Sequence, residues 1–133
     1  MDYGCGLGTI TNEIAGSVKT IQAIDISSGM IEVAKRKAEE CNFENIDFEQ
    51  ANLFDVRYKK GTFNVILAFN ILHYIEDLPQ VILRINDLLK PGGLFISATA
   101  CLGERKIFLR MMMFLLTKIG LVPRMKFFKI SVL

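Results

Sequence analysis

The chain has 133 residues, which suits one domain with a single hydrophobic core and leaves little room for a second. Hydrophobic residues make up 51% of it and charged residues 23%, which is typical of a globular protein and excludes a disordered one. The formal net charge of +2 is too small to favour a nucleic-acid partner.

The three cysteines, Cys5, Cys41 and Cys101, form no Cys-x-x-Cys pair. Their number and spacing argue against a disulfide framework and against a structural zinc site, so we expect no metal ion and a reducing, cytoplasmic environment. The first residues do not form a signal peptide. The most apolar run, 111–116, is far shorter than the roughly 20 residues that a membrane span needs, so we expect no transmembrane helix.

Short β-rich runs alternate with longer helical ones along the chain, which predicts βαβ units and a parallel sheet. A first strand is expected over 20–24 and ends at Asp25. The helix that follows can be capped by Ser27 or Ser28. A second strand is expected over 46–49.

The run 63–69 is almost continuously apolar, as in a central parallel strand that is covered on both faces. A proline at position 79 fits the first turn of a helix over 79–89, and residues 90–93, Lys-Pro-Gly-Gly, form its stop signal. The next strand is expected over 94–98.

A basic tail follows position 103, with seven Lys or Arg and one acidic residue, so the rest of the chain is mildly acidic. The tail predicts a helix over 104–119, and residues 104–129 combine basic groups with a Met- and Phe-rich apolar face. This pattern suits peripheral contact with an anionic membrane, or a lid over a lipid-like substrate. The alternative is an ordinary core helix.

Both ends of the domain look incomplete. A parallel sheet needs a central strand before the glycine-rich loop that begins at Gly4, but only three residues precede it, and the chain stops at Leu133 where another helix could begin. We therefore expect a truncated or partial domain.

The strongest local signal is the segment 2–9, Asp-Tyr-Gly-Cys-Gly-Leu-Gly-Thr, between a strand end and a helix start. Alternate glycines let a ligand lie against bare backbone, and the helix beginning near Thr9 points unpaired N–H groups at the crevice. Gly-x-Gly-x-Gly is tighter than the Gly-x-Gly-x-x-Gly of dinucleotide folds, and Asp2 precedes it. The pattern favours a ligand with an amino group and a carboxylate; the alternative is an ordinary glycine turn.

Asp25 ends the next predicted strand, 17 residues after Gly8. A carboxylate at this place can accept both hydroxyl hydrogens of a ribose. The alternative is that Asp25 is only a helix N-cap.

Together these residues resemble a known family. Asp-x-Gly-Cys-Gly-x-Gly, the acidic strand end at Asp25, and the segments 48–55, 61–75 and 89–96 follow the order of landmarks in class I S-adenosylmethionine-dependent methyltransferases. The resemblance runs from Met1 to about Ala100. It implies an α/β fold, a Rossmann-like parallel sheet sandwiched by helices and here incomplete at both termini. Residues 1–103 would form the S-adenosylmethionine-binding core, and residues 104–133 a basic, apolar helical tail or lid of the same domain.

The resemblance also implies a role for individual residues. The methionyl part of S-adenosyl-L-methionine would lie in the loop formed by Asp2, Gly4, Cys5, Gly6 and Gly8. Asp25 would bind the ribose. The adenine would be lined or bordered by Ile26, Met30, Ala51, Asn52 and Leu53. The sulfonium and its methyl group would be flanked by Ala68 and Phe69.

Two departures from the family pattern matter. Asn52 replaces the usual Asp; its amide oxygen can still accept a hydrogen bond from the adenine amino group, but without charge assistance. Asn70 is followed by Ile71 and not by Pro-Pro, so the signature for methylating exocyclic amines of DNA bases is missing.

His73 is the only histidine and the one candidate for a general base. The alternative is that it packs or caps near the strand exit, so no catalytic residue is named. The expected function is methyl transfer to a small-molecule or lipid-like acceptor. The alternatives are a catalytically silent methyltransferase-like binding module and, less favoured by the glycine spacing, a nicotinamide-dependent oxidoreductase.

Overall fold

The computed structural model describes residues 1–99, and the helix predicted over 104–119 lies outside them. The described part contains five strands, three α-helices and one 3₁₀ turn. In chain order these are β1 (Asp2–Tyr3), α1 (Thr9–Ala15), β2 (Ile21–Asp25), α2 (Ser28–Glu40), β3 (Ile46–Gln50), β4 (Phe63–Phe69), the 3₁₀ turn (Leu72–Tyr74), α3 (Leu78–Leu88) and β5 (Leu89–Ala98). The predicted α/β class and the predicted strands are confirmed.

The strands form one sheet in the order β3-β2-β1-β4-β5, and all neighbouring strands are parallel. The two-residue β1 is central, because Asp2 pairs with Ala23 on one side and with Leu67 on the other. The chain moves from β1 outwards to β3, then crosses to β4 on the other side of β1. The topological switch point therefore lies between β1 and β4, at the carboxyl ends of the strands, where open α/β sheets bind their ligands.

Helices cover both faces of the sheet. Ala23 and Ile24 are adjacent in β2 and point to opposite faces, since side chains alternate along a strand. The cluster on the face of Ala23 joins α1, α2, β2 and β3 and consists of Ala15, Ile21, Ala23, Ile31, Ala34, Ala38 and Phe48. The cluster on the face of Ile24 brings in α3 and consists of Ile24, Leu53, Tyr58, Ile66, Val81, Ile85 and Leu88. The predicted sandwich is confirmed.

Side chains cap the two longer helices. The Ser27 hydroxyl accepts a hydrogen bond from the backbone N–H of Met30 at 3.4 Å, which confirms Ser27 as the cap of α2. Asp77 caps α3 by accepting from the backbone N–H of Gln80 at 3.1 Å, and Pro79 lies in the first turn, where its missing N–H costs nothing.

The helix stop predicted at residues 90–93 is confirmed, since α3 ends at Leu88, but the strand that follows begins earlier than expected. These residues lie inside β5, which begins at Leu89, as an irregularity between the pairs Phe63↔Leu89 and Val65↔Leu94. Pro91 has no N–H to give to a ladder, and a Cβ on Gly93 would lie 2.9 Å from the carbonyl oxygen of Lys90. Pairing therefore begins before the Pro-Gly-Gly segment and resumes after it.

A cavity of about 720 Å³ opens at the amino ends of β2 and β4, beside Met1. Its lining includes Val18, Thr20, Phe63 and Val65, and we call it the amino-edge cavity. The Met1 ammonium donates to the carbonyl oxygen of Val65 at 2.8 Å. The cavity thus lies at the edge of the sheet opposite to the glycine loop. Across residues 1–99 no helix is long and apolar enough to cross a membrane.

Candidate functional site

The glycine loop is held against the end of β2 by backbone hydrogen bonds. The N–H groups of Gly4 and Cys5 both donate to the carbonyl oxygen of Ile24, at 2.8 and 3.0 Å. The N–H of Gly6 donates to Oδ2 of Asp25 at 3.0 Å. The structure therefore brings the two strongest sequence signals, the loop and the acid at the end of β2, into direct contact.

Gly6 is the glycine that leaves room for a ligand. Its φ of 52° lies in the left-handed region, and a Cβ built on it would meet no atom within 4 Å. Gly4 and Gly8 differ, because a Cβ on Gly4 would lie 2.6 Å from Ile71 and one on Gly8 would lie 2.9 Å from Ala34. Gly4 and Gly8 are thus needed for internal packing, and Gly6 presents bare backbone to open space.

Asp25 is not the cap of α2, so the N-cap alternative is wrong. Its Oδ1 accepts the backbone N–H of Ser27 at 2.9 Å and its Oδ2 accepts that of Gly6, while Ser27 itself caps the helix. A carboxylate offers about four acceptor positions, so about two remain for other donors. Asp25 is partly buried at the carboxyl edge of the sheet. Its two remaining acceptor positions therefore suit a pair of hydroxyl groups.

Asp2 points into the protein. Its side chain is buried, and its Oδ2 accepts a hydrogen bond from the hydroxyl of the fully buried Thr11 at 2.5 Å. Burial raises the pKa of Asp2 above its ordinary value, and the nearby Asp25 carboxylate adds to this rise, although the Thr11 hydroxyl opposes it. The visible role of Asp2 is to tie α1 to β1, and its contact with a methionyl group stays a prediction. Thr11 was missed because nothing in its local sequence marks a buried hydroxyl.

Cys5 is a free thiol in the glycine loop. Burial raises its pKa to about 12, and the carboxylates of Asp2 and Asp25 add to the shift because they oppose a negative thiolate. A thiol with such a pKa is uncharged at neutral pH. Cys5 is therefore an unreactive small residue at neutral pH.

The three predicted adenine neighbours after β3 do not share one environment. The N–H of Ala51 donates to the carbonyl oxygen of Asp25 at 3.0 Å, which places the start of this segment beside the ribose candidate. Asn52 is exposed, and its Oδ1 accepts the N–H of Phe54 at 2.9 Å. Leu53 is fully buried in the core beneath α3, so its side chain packs away from any ligand and only its backbone could border one.

Two large apolar side chains that follow Asp25 along the chain are exposed to solvent. Ile26 is 71% exposed and Met30 is 42% exposed, which is unusual for residues of this size unless something covers them. Both follow the carboxyl end of β2. Their exposure agrees with the predicted adenine pocket, which stays a prediction.

The exit of β4 forms the other side of the crevice. Ala68 is fully buried, so its side chain cannot reach a ligand, and Phe69 is half-buried. Asn70 takes a left-handed φ of 54°, and its N–H donates to the carbonyl oxygen of Ala98 at 2.7 Å. This turn brings the side chain of Ile71 over Gly4. Ile71 was missed at the sequence level, where its only signal is an apolar side chain directly after a predicted strand.

His73 lies in the 3₁₀ turn and is 4% exposed. Its Nδ1 has no hydrogen-bond partner within residues 1–99, and its ring lies 4.0 Å from the ring of Tyr74, centre to centre. Burial lowers the pKa of His73, so the imidazole is neutral at pH 7. Tyr74, which is 44% exposed, is the better placed of the two to meet a substrate.

Among the described residues, no group of three or more His, Cys, Asp or Glu side chains could hold a metal ion. The side chains at the carboxyl edge instead fit an adenosyl group. Gly6 offers open backbone, Asp25 keeps free acceptor positions, Asn52 carries an exposed amide, and Ile26 and Met30 give an apolar surface.

Known proteins are similar to this chain in sequence and fold. A family model described as a methyltransferase domain matches residues 1–119. The chain belongs to this methyltransferase family. The ubiquinone biosynthesis O-methyltransferase of Methylocella silvestris is 31% identical over 99 residues, covering 74% of this chain and 38% of that protein. The demethylmenaquinone methyltransferase of Lactococcus lactis is 34% identical over 96 residues, covering 70% and 38%.

A solved S-adenosylmethionine-dependent methyltransferase from Mesorhizobium loti has the same fold. It is 25% identical and superposes with a TM-score of 0.66, covering 74% of this chain and 44% of that one. The chain therefore spans about two fifths of the length of these three proteins.

Proposed function

We propose that the chain binds S-adenosyl-L-methionine at the carboxyl edge of its sheet and transfers the methyl group to a small-molecule or lipid-like acceptor. The observation that carries the proposal is the pair formed by Gly6 and Asp25. The Asp25 carboxylate holds the N–H of Gly6, while the Cα of Gly6 faces open space. A ligand lying on Gly6 would therefore meet the remaining acceptor positions of Asp25.

Each part of the cofactor has a matching group in this proposal. The free acceptor positions of Asp25 bind the ribose hydroxyls. Ile26 and Met30 cover one face of the adenine, and Asn52 borders its edge. The methionyl group lies along the loop of Gly4, Cys5 and Gly6, with Asp2 beneath it. Ala68 and Phe69 flank the reacting end through the backbone at the exit of β4.

The chemistry needs little from the protein beyond placement. When bound, S-adenosylmethionine supplies a methyl group on an electrophilic sulfonium, ready for in-line displacement by an oxygen, nitrogen or carbon nucleophile. The residues of the chain bind and orient the two partners and keep water away. His73 is neutral but buried, so a proton-transfer role for it has no support from its position.

The acceptor class is supported by apolar side chains at the same edge. Leu7 and Ile10 follow β1, Phe54 follows β3, and Tyr74 follows β4, and all four are at least 36% exposed. Exposed apolar side chains at one edge of the sheet favour an apolar ligand over a polar one. The words ubiquinone biosynthesis and demethylmenaquinone in the names of two relatives agree with a lipid-like acceptor.

The second candidate is a silent module that binds the cofactor, or a protein partner, without transferring a methyl group. The observation that favours it is the side chain of Ile71, which packs directly on Gly4, so that Gly4 does not present open backbone as Gly6 does. Binding of cofactor with no transfer to a panel of quinols, phenols and acyl carboxylates would support this candidate.

The decisive experiment is calorimetric titration of the chain with S-adenosylhomocysteine, with circular dichroism to confirm folding. We expect micromolar affinity, weakened at least tenfold in Asp25→Asn. The matched control is Asp47→Asn, which changes an exposed carboxylate on β3, and we expect it to bind like the wild type. A folded wild-type chain that does not bind would overturn the proposal, and binding of NADH instead would favour the oxidoreductase alternative.

A further inference from the structure

Arg84 links α3 to the segment that follows β3. It is the only basic residue of α3, in which Asp87 is the one other charged residue, and it is half-buried. Its Nε–H donates to the carbonyl oxygen of Leu53 at 3.2 Å. Its Nη2 donates to the carbonyl oxygens of Asp55 at 3.1 Å and Tyr58 at 2.9 Å.

We call residues 51–58 the β3 exit loop. The loop is held at two points on either side of Asn52. Before Asn52, the N–H of Ala51 donates to the carbonyl oxygen of Asp25 at 3.0 Å. After it, the carbonyl of Leu53 is held by Arg84, and the side chain of Leu53 is fully buried.

Asn52 itself is ordered by the same turn. Its Oδ1 accepts the N–H of Phe54 at 2.9 Å, and its backbone carbonyl accepts the N–H of Asp55 at 3.0 Å. An amide oxygen has two lone pairs, so Oδ1 keeps one free acceptor position. The direction of that position depends on the backbone around Asn52, and therefore on the bonds that Arg84 makes.

An arginine suits this task better than a lysine does. The guanidinium group is planar and presents five N–H donors in a fixed fork, whereas an ammonium group presents its donors from a single point. Three carbonyl groups spread over 53–58 can be held together by a fork. Removing it leaves half-buried carbonyls without partners and lets the loop change shape.

We infer that Arg84 is a positioning residue for nucleobase selectivity, which holds the β3 exit loop so that Oδ1 of Asn52 accepts from the amino group of an adenine. The inference rests on the proposed function, because it takes the ligand to be an adenosyl compound. Arg84 itself touches no ligand. Its effect appears in the relative affinity for an adenine and for a base that carries a carbonyl oxygen in place of the adenine amino group.

The test compares two ligands, S-adenosylhomocysteine and S-inosylhomocysteine, by calorimetry. One hydrogen bond of this kind is worth about twofold to tenfold in affinity, so the wild type should prefer the adenine compound by that ratio. In Arg84→Met most of the wild-type preference should be lost, so that its ratio is clearly smaller than the wild-type ratio and close to one, and in Arg84→Lys the ratio should lie between the two. The control Lys60→Met removes an exposed positive charge that pairs with Asp87, and it should keep the wild-type ratio.

A general loss of stability does not by itself change this ratio, so it separates positioning from a merely structural role. If Arg84→Met does not fold, the test uses Arg84→Lys and a double-mutant cycle with Asn52→Ala. In this cycle, Asn52→Ala should reduce the preference for the adenine compound by less in the Arg84→Lys background than in the wild type. A wild-type ratio of one, or an unchanged ratio in a folded Arg84 variant, overturns the inference while the proposed function stands. Failure of the folded wild type to bind either ligand overturns both.

Discussion

Oδ2 of Asp25 accepts the backbone N–H of Gly6 at 3.0 Å, so the residue that ends β2 also shapes the loop that follows β1. Its Oδ1 accepts the N–H of Ser27 and so shapes the start of α2 as well. One carboxylate thus joins two of the loops that surround the candidate site. Substitutions at Asp25 therefore act on the fold and on the site together.

Asp25→Ala should reduce both ligand affinity and stability. It leaves two backbone N–H groups without acceptors and removes the proposed partner of the ribose, so we expect a loss of binding free energy of about 2–4 kcal/mol. Thermal melting should show destabilisation of about 1–2 kcal/mol. S-adenosylhomocysteine titration and melting of the same sample measure the two effects, and undiminished affinity in this variant would refute the ribose assignment.

Gly6→Ala should block the site with little effect on the core. The left-handed φ costs an alanine about 1 kcal/mol, and the new methyl group would occupy the space proposed for the ligand. Gly61→Ala is a matched control, since Gly61 has a φ of 63° and no atom within 4 Å of a built Cβ. Both variants should melt at similar temperatures, and only Gly6→Ala should lose binding of S-adenosylhomocysteine. Equal binding by both would show that no ligand lies on Gly6.

Asp2→Asn should stabilise the fold at neutral pH. Burial raises the pKa of Asp2, so between its unfolded pKa, near 3.9, and its folded pKa the folded state binds more protons. Its contribution to stability therefore falls as the pH rises through that window. An asparagine keeps an acceptor for the Thr11 hydroxyl and should remove this pH dependence. Melting curves from pH 3.5 to 7 test the expectation, and parallel curves for variant and wild type would contradict it.

His73→Phe should leave the affinity for S-adenosylhomocysteine nearly unchanged. Burial lowers the pKa of His73, so the unfolded chain binds more protons just below pH 6.5 and the wild type loses stability as the pH falls through that region. Phenylalanine should remove this loss. Binding and melting at pH 5.5 and 7.5 provide the check. A large drop in methyl-transfer rate with intact binding would instead support His73 as a general base.

Cys5 should resist alkylation. Its pKa of about 12 leaves almost no thiolate at pH 8, whereas Cys41 is exposed at the end of α2. In a Cys101→Ser background, iodoacetamide should modify Cys41 at least tenfold faster, as followed by mass spectrometry of the intact chain and its peptides. Comparable rates would mean that the glycine loop opens readily to solvent.

The sequence was sufficient for the parts of the fold that depend on local patterns. The apolar run of β4 and the cap at Ser27 are local features, and each appears where it was expected. Asp25 was found because a strand end and an acid coincide. The helix stop before Lys-Pro-Gly-Gly is confirmed, but the strand begins at Leu89 and not at Leu94, because pairing across such a segment depends on its neighbour, here β4.

Side-chain direction in the site was harder to predict. Leu53 and Ala68 sit at the expected places along the chain, yet both side chains are fully buried, since α3 covers that face of the sheet. The partners of Asp2 and Arg84 are nine and up to 31 residues away, beyond any pattern within one element. Arg84 is the one basic residue of α3, but nothing in the sequence names its partners, which come from the tertiary structure.

The amino-edge cavity has a practical consequence for handling the protein. In a chain that begins at Met1, the α-amino group donates to the carbonyl oxygen of Val65 beside this cavity, and burial lowers its pKa. Any affinity tag or dye attached there begins inside the sheet, next to Val65, and replaces a bonded ammonium group. A label at this end therefore reports on the surroundings of the central strand and also perturbs them.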